Sequence, residues 1–211
     1  MKSARDGGGT TNFQYSDDGK MTKKERGNLK TEMSYDTEGR LIQIDKTENG
    51  VKETTTFLYD FEGRLLRTTL PNNNVVIYVS QVYEVEIGST TPKSQSRTSY
   101  LFQKYRSAAY KTEYTEGSTT AAGTVYYFHN NNIGSTIAAS DVNGAIITEY
   151  TYDASGKIVD VKGNDVARYK YSGKELIGTL YYFGARFYDP DVSIYFIFIF
   201  SPVCLNYVYM A

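Results

Sequence analysis

A seven-residue pattern recurs four times in this chain and constrains the fold more than any other feature. Each copy begins with tyrosine, has glycine and a basic residue at its fifth and sixth positions, and ends with an apolar residue. The copies are residues 15–21, 35–41, 59–65 and 152–158. A weaker fifth copy, residues 140–146, has serine in place of the tyrosine. Recurrence of this kind is typical of a repeat array.

The pattern predicts a β-hairpin. Aspartate favours the first position of a type I turn, and glycine at the fourth position, with a positive φ, starts the next strand through a bulge. The tyrosine and the apolar residue six places later then lie opposite each other, where such a pair contributes roughly 0.2–1 kcal/mol. The predicted turn and pair residues are Tyr15, Gly19, Met21, Tyr35, Asp36, Gly39, Leu41, Tyr59, Asp60, Gly63, Leu65, Tyr152, Asp153, Gly156 and Ile158.

Strand alternation extends the buried face away from each turn. An apolar residue lies two positions before each tyrosine, at Phe13, Met33, Phe57 and Tyr150. Alternate strand residues share a face, so we expect these side chains to be buried. The basic residues of the turns, Lys20, Arg40, Arg64 and Lys157, are expected to point outward.

The middle of the chain has strand-like runs without a clean copy of the pattern. Residues 75–79 predict a strand, and residues 83–87 alternate apolar side chains with two glutamates. The polar residues 88–99 indicate a loop or a degenerate connection. Residues 104–114 could form a short helix, but their apolar spacing is poor and we predict a strand.

The composition agrees with a β-rich repeat protein. The 211 residues include 21 Tyr and 18 Gly but only 4 Pro, an inventory of strands and frequent turns. A repeat buries its apolar face only against its neighbours, so an array of this length need not close on itself. We therefore predict an all-β fold of repeated hairpins in an open, incomplete sheet.

Charge and targeting signals exclude several classes of function. The 23 basic and 24 acidic residues nearly balance, and the basic ones are spread one per turn, which argues against nucleic acid as a partner. A single cysteine, Cys204, excludes an internal disulfide framework. No apolar stretch follows the first residues, so we expect no signal peptide in this chain. The apolar run at 194–200 is too short to span a membrane, and we predict a buried strand.

The repeats resemble the YD repeats of RHS proteins. Five later segments follow, in order, the pattern of the RHS repeat-associated core: residues 126–136, 141–144, 150–156, 171–175 and 181–190. The core-motif residues carried over by this resemblance are His129, Gly134, Gly184, Arg186, Tyr188, Asp189 and Pro190.

The resemblance implies a fold, a location and a set of partners. The fold is a β-sheet that spirals into a hollow shell, as in bacterial polymorphic toxins, the C component of Tc toxins and teneurins. The location is secreted or cell-surface, and the partners are the rest of an RHS shell or an enclosed toxin polypeptide. The chain divides into YD-repeat hairpins (1–75), degenerate repeats and connecting strands (76–124), the RHS-associated core (125–192) and a divergent apolar tail (193–211).

Few residues qualify for chemistry. His129 is the only histidine, which excludes a histidine-rich zinc site, and we predict neither a metal nor a cofactor. Asp189 is the one catalytic candidate, because the resemblance implies aspartate-dependent self-cleavage of the core. Cleavage needs a second carboxylate, and Ile199 and Phe200 stand where the family has its second Asp-Pro. We therefore expect Asp189 and Arg186 to stabilise the core turn by hydrogen bonds.

The leading hypothesis is a non-enzymatic structural fragment of an RHS-type shell that encapsulates a polymorphic toxin or another cargo. One alternative is a cell-surface adhesion module that binds carbohydrate through exposed tyrosines and the basic turn residues. The other is the remnant of a self-cleaving RHS core.

Overall fold

The computed structural model describes residues 2–6, 9–118, 122–184 and 186–196, and nearly all of its regular structure is β-strand. Most of these residues form one antiparallel sheet of fifteen strands, called the wall here, in which every strand pairs with the next one along the chain. Its strands are β1 (Lys2–Asp6), β2 (Gly9–Tyr15), β3 (Met21–Arg26), β4 (Leu29–Tyr35), β5 (Leu41–Glu48), β6 (Val51–Tyr59), β7 (Leu65–Thr69), β8 (Val75–Ser80), β9 (Tyr83–Ile87), β10 (Ser94–Phe102), β11 (Arg106–Thr115), β12 (Ala122–Asn130), β13 (Thr136–Ser140), β14 (Ile146–Tyr152) and β15 (Ile158–Gly163).

The all-β, open fold predicted from the repeats is confirmed. Within the described residues, β1 and β15 each pair with a single strand and form the two edges of the wall. The predicted boundaries at residues 75 and 124 stay predictions, and the sheet runs through both of them.

The hairpins have the predicted register. The four predicted pairs lie opposite each other: Tyr15 with Met21, Tyr35 with Leu41, Tyr59 with Leu65 and Tyr152 with Ile158. At the second turn the amide of Gly39 donates to the carbonyl of Asp36 at 2.9 Å, and the φ of Gly39 is 83°. The register shifts by one residue beside this turn, as a bulge requires. The weaker copy has the same register, with Ser140 opposite Ile146.

Three further turns share this geometry, although the sequence pattern did not reveal them. They span residues 69–75, 130–136 and 169–175. In the first, Asn73 occupies the glycine position with a φ of 62°, and its amide donates to Leu70 at 2.8 Å. Asparagine tolerates this conformation better than other non-glycine residues, so an asparagine in that place was the available signal.

The middle of the chain is more regular than its sequence suggests. The predicted strands at 75–79 and 104–114 are present as β8 and β11. The expectation of a loop over residues 88–99 was wrong beyond residue 93, because β10 begins at Ser94 and pairs on both sides. Serine, threonine and glutamine can form a strand where neighbouring strands satisfy its backbone, since β-propensity depends on context.

The rest of the described chain lies on one face of the wall. This covering segment comprises residues 164–184 and 186–196. It contains a 3₁₀ turn (Tyr171–Gly173) and a second antiparallel sheet of β16 (Glu175–Ile177), β17 (Leu180–Tyr182), β18 (Phe187–Asp189) and β19 (Ile194–Phe196). The apolar run at 194–200 enters β19, and its last four residues and Cys204 lie outside the described residues.

The main apolar core lies between the covering segment and strands β2 to β7, called the first part of the wall here. Its wall side includes the predicted residues Phe13, Met33 and Phe57, all buried. The other buried members are Met21, Leu41, Ile44, Leu65, Ile177, Leu180 and Phe187. The face shared by alternate strand residues is therefore the face that the second sheet covers.

Candidate functional site

The end of the covering segment joins two distant parts of the wall. In β18, a carboxylate oxygen of Asp189 lies 2.5 Å from Nζ of Lys24 in β3. Two residues later, Asp191 lies 3.7 Å from Lys24 and 2.7 Å from Nζ of Lys157, which belongs to the turn between β14 and β15. One carboxylate therefore lies between lysines 133 residues apart, because 157 − 24 = 133.

This contact shows that the wall curls. Eleven or twelve strand steps separate β3 from the β14–β15 turn. At a strand spacing of about 4.8 Å, a flat sheet places them roughly 55 Å apart. Lys24 and Lys157 both reach Asp191 within 4 Å, so the sheet must bend back until these parts nearly meet. The covering segment lies inside that bend.

Further contacts attach the covering segment to the same turn. The hydroxyl of Tyr188 donates to the carbonyl of Ser155 at 2.8 Å, and the hydroxyl of Ser155 donates to the carbonyl of Pro190 at 2.8 Å. The hydroxyl of Tyr181 donates to the carbonyl of Gly156 at 2.9 Å. The covering segment is thus hydrogen-bonded to this turn in both directions.

The tyrosines of the repeats link each hairpin to an earlier one. The hydroxyl of Tyr35 donates to the carbonyl of Met21 at 2.6 Å, and that of Tyr59 donates to the carbonyl of Leu41 at 2.8 Å. In each case the acceptor is the last residue of the preceding seven-residue unit. Burial raises the pKa of both phenols well above the ordinary value, so they stay protonated and remain donors.

The sequence analysis assigned these tyrosines only a cross-strand packing role and missed the hydroxyl contact. The signal was present, because all four clear copies have tyrosine where phenylalanine would pack equally well. Tyr152 repeats the arrangement farther along the wall, with its hydroxyl 2.7 Å from the carbonyl of Thr136.

The aspartates at the start of the turns hold the turn backbone. Asp36 accepts hydrogen bonds from the amides of Glu38 and Arg40 at 3.0 and 2.8 Å. Asp60 does the same within its own turn, and Asp141 and Asp153 follow. Hydrogen bonds from backbone amides lower the pKa of Asp141, so its carboxylate stays ionised near neutral pH.

The expectation that the basic turn residues point outward was wrong for Arg40. Its Nε lies 2.7 Å from the carboxylate of Asp36, and its Nη1 donates to the carbonyl of Asp60 at 3.0 Å. Its guanidinium also lies 5.4 Å from the centre of the Tyr59 ring. The contact with Asp60 turns this guanidinium toward the next hairpin, so Arg40 bridges two repeats.

A buried ionic cluster joins the covering segment to strands β8 to β14, called the second part of the wall here. Arg168 contacts three glutamates: its Nε is 2.8 Å from Glu84, its Nη2 is 2.5 Å from Glu86, and its Nη1 is 3.4 Å from Glu175. The alternation at residues 83–87 gave no indication that Glu84 lies inward, yet only 4% of it is exposed. Burial raises the pKa of Glu175 to about 7.

Three tyrosines complete the cluster. The hydroxyl of Tyr78 donates to Glu175 at 2.8 Å, and those of Tyr100 and Tyr169 donate to Glu84 at 2.7 and 3.2 Å. Buried carboxylates need such donors, because an unsatisfied buried charge is costly.

The structure places Asp189 in an ion pair, and Arg186 elsewhere. Burial raises the pKa of the Asp189 carboxyl, and Lys24 partly opposes that shift. The Asp189 carboxylate also accepts the amide of Asp191 at 2.9 Å, a hydrogen bond within the core turn. For the side chain of Arg186 the expectation of turn hydrogen bonds was wrong, because its guanidinium is exposed and lies 5.1 Å from the centre of the Tyr195 ring. Aromatic stacking competes well for an exposed guanidinium. Sequence analysis missed Asp191 as the second acid beside Lys24.

The remaining core-motif residues have structural surroundings. Nε2 of His129 lies 2.9 Å from the hydroxyl oxygen of Ser140. Gly134 and Gly184 adopt positive φ values of 85° and 84° in turns. In the part of the chain that the structure describes, no group of three or more metal-ligating side chains is present. The same residues contain no helix of sufficient length and apolar character to cross a membrane.

The family follows from comparison with known proteins. The family model described as the teneurin YD-shell matches residues 4–120, more than half of the chain. The chain belongs to the teneurin YD-shell family. The RHS and YD-repeat resemblance inferred from the tyrosine turns is thereby confirmed.

Curated relatives of this YD-shell chain include two bacterial proteins named as nucleases. One is the tRNA3(Ser)-specific nuclease WapA of Bacillus spizizenii, 30% identical over 136 residues, which covers 59% of this chain and 5% of the relative. Another is the tRNA nuclease WapA of Bacillus subtilis strain 168, 37% identical over 76 residues, which covers 33% of this chain and 3% of the relative. The chain thus spans a small part of the curated relatives.

Solved structures share the fold. The crystal structure of TcdB2-TccC3 matches with a TM-score of 0.65 and 19% identity, and covers 89% of this chain and 12% of that chain. The TcdB2-TccC3-Cdc42 structure matches with a TM-score of 0.65 and 20% identity over the same shares. At 89% of the chain, the match extends well beyond residue 120.

Proposed function

We propose that this chain is a non-enzymatic section of a YD-type β-shell that encloses another polypeptide, either a toxin or another cargo. The observation that carries the proposal is the meeting of β3 and the β14–β15 turn across Asp191, since a sheet curled to this extent separates an inside from an outside. The named nuclease activity of the WapA relatives supports a toxin-related cargo.

The cargo needs more shell than this chain supplies. One cavity beside the covering segment has a volume of ≈ 820 Å³, which is the scale of a small-molecule site and not of a folded polypeptide. The chain corresponds to 12% of the TcdB2-TccC3 chain that it matches. The proposed partner is therefore the rest of a shell, and the proposed location is extracellular or on the cell surface.

The contacts of the basic turn residues disfavour the carbohydrate-binding alternative. Arg40 and Arg64 pair with Asp36 and Asp60 of their own turns at 2.7 Å, and Lys157 pairs with Asp191. These cations already have carboxylate partners, which a sugar would have to displace.

Protease protection tests the proposal. The polypeptide that contains this chain is isolated from its source with an antibody against residues 15–69 and digested with a protease, either folded or in urea. A cargo inside a shell survives in the folded sample and is cut in urea, and mass spectrometry identifies its peptides. Equal digestion of every associated polypeptide in both samples refutes enclosure.

An intact-mass measurement tests the non-enzymatic part of the proposal. The purified chain should keep its full mass of 23.8 kDa on prolonged incubation. Cleavage near Asp189 that disappears in the Asp189→Asn variant would instead establish a self-cleaving core.

A further inference from the structure

The ionic cluster between the covering segment and the wall has more acids than bases. Three carboxylates, from Glu84, Glu86 and Glu175, surround the guanidinium of Arg168. A second arginine, Arg106, lies beside the cluster, with its guanidinium 3.3 Å from the centre of the Tyr169 ring. Three carboxylates thus share one arginine in direct contact, and the uptake of one proton relieves part of their mutual repulsion.

The ionisable groups that face Glu175 come from several elements, and Asp60, Glu62 and Arg64 of the β6–β7 turn line the same pocket. The groups that face it are Tyr78 from β8, Glu84 and Glu86 from β9, Tyr100 from β10, Arg106 from β11, Tyr182 from β17, and Arg168, Tyr169 and Lys174 from the covering segment itself. The phenols with shifted pKa values stay neutral because burial raises them. The proton therefore goes to a carboxylate.

The cluster lies at the joint between two parts of the fold. Glu175 begins β16, and Arg168 precedes it in the covering segment, whereas Glu84 and Glu86 belong to β9 of the wall. Arg168 therefore attracts Glu84 and Glu86 across the joint, whereas an ionised Glu175 repels them and weakens that attraction. The hydroxyl of Tyr78 at 2.8 Å from Glu175 also crosses this joint.

We propose that this buried cluster is a pH-responsive fastening, which holds the covering segment on strands β8 and β9 more tightly below neutral pH than above it. This fastening depends on the geometry of the joint and not on what a complete shell contains.

The direction follows from linkage. Burial, the largest cause, raises the pKa of Glu175 to about 7, above the ordinary value of 4.5. A group with a raised pKa in the folded state contributes stability that is fully present below its ordinary pKa and is lost as the pH rises through the raised value. The stability is therefore lost between about pH 4.5 and pH 7 and levels off near pH 8, and opening should increase about tenfold between pH 6 and pH 8.

Hydrogen exchange of the full chain measures that opening. Peptides that span β16 and β17 are compared with reference peptides from β4 and β5 at pH 6 and pH 8, after correction for the intrinsic exchange rate. We expect protection of the covering peptides to fall about tenfold relative to the reference on going to pH 8. An unchanged ratio in the wild-type chain overturns the proposal.

Variants assign the effect to the cluster. Glu175→Gln should abolish the pH dependence of the ratio, whereas Glu113→Gln, the same change at an exposed position of β11, should preserve it. Asp189→Asn should also preserve it, because Asp189 belongs to the separate contact with Lys24. If Glu175→Gln does not fold, Glu84→Gln tests the same joint. Retention of the full pH dependence in the glutamine variant of the cluster overturns the assignment.

Discussion

The two parts of the wall use the same turn and are covered by different chemistry. From β2 to β7, the covering sheet packs on buried apolar side chains such as Phe57 and Leu41. From β8 to β14, the covering segment contacts buried ions and hydroxyls, among them Glu84 and Thr148. The repeated turn therefore explains the pairing of the strands in both parts. The two parts differ in the side chains that face the covering segment.

The difference has an energetic consequence. Apolar contacts stabilise in proportion to the area they remove from water, whereas buried ions contribute little net stability but are costly to leave unpaired. We expect single substitutions in the first part to act through lost packing. For substitutions in the polar contacts, we expect the loss of stability to depend on whether the remaining partner is left buried and unpaired.

The largest expected effect tests the apolar side. Phe187 is buried against Phe57, with ring centres 4.9 Å apart, so Phe187→Ala should lower the free energy of unfolding by about 3–5 kcal/mol. Urea denaturation measures it. Phe61→Ala is the matched control, because 91% of Phe61 is exposed, and it should change stability by less than about 0.5 kcal/mol. Similar losses in the two variants would contradict an apolar joint.

The second prediction concerns the ion pair that closes the curl. Lys24→Met leaves the buried carboxylate of Asp189 without its cation and should cost about 3 kcal/mol at pH 7. Because burial raises the pKa of Asp189 above its ordinary value of 3.8, the loss should shrink as the pH falls toward that value and the carboxyl takes up a proton.

A double variant distinguishes the effect of the two charges from the effect of side-chain packing. Lys24→Met combined with Asp189→Leu removes both charges and should recover most of the stability lost in the single variant. Urea denaturation at pH 7 compares the three proteins. If the double variant is as unstable as the single one, the pair stabilises the fold through the packing of its side chains and not through its charges.

Much of the wall could be predicted from the sequence, because its hairpins are local. Seven residues determine each turn, so Tyr35 and Leu41 could be paired from spacing alone. The contacts of Glu84 and Lys24 could not be predicted in this way. Their partners, Arg168 and Asp189, lie 84 and 165 residues away, and no local pattern links them. The inward position of Glu84 also contradicts the usual preference for exposed glutamate.

The third prediction compares one turn position in two surroundings. Gly63 has a φ of 81° and open space where a Cβ would lie, so Gly63→Ala should cost about 1 kcal/mol from backbone strain alone. A Cβ on Gly156 would overlap the ring of Tyr171 in the covering segment, so Gly156→Ala should cost about 2–4 kcal/mol. Thermal unfolding measures both variants. Equal losses would mean that the covering segment does not press on this turn.

The smallest expected effect tests the link between repeats. Tyr59→Phe keeps the ring beside Leu65 but removes the hydroxyl that donates to the carbonyl of Leu41, and should cost about 1–2 kcal/mol. Tyr110→Phe is the control, because about half of Tyr110 is exposed and water replaces the hydroxyl contacts, so it should be nearly neutral. Urea denaturation compares the two. If both are neutral, the tyrosine acts through its ring, and phenylalanine should then serve equally well at every copy of the repeat.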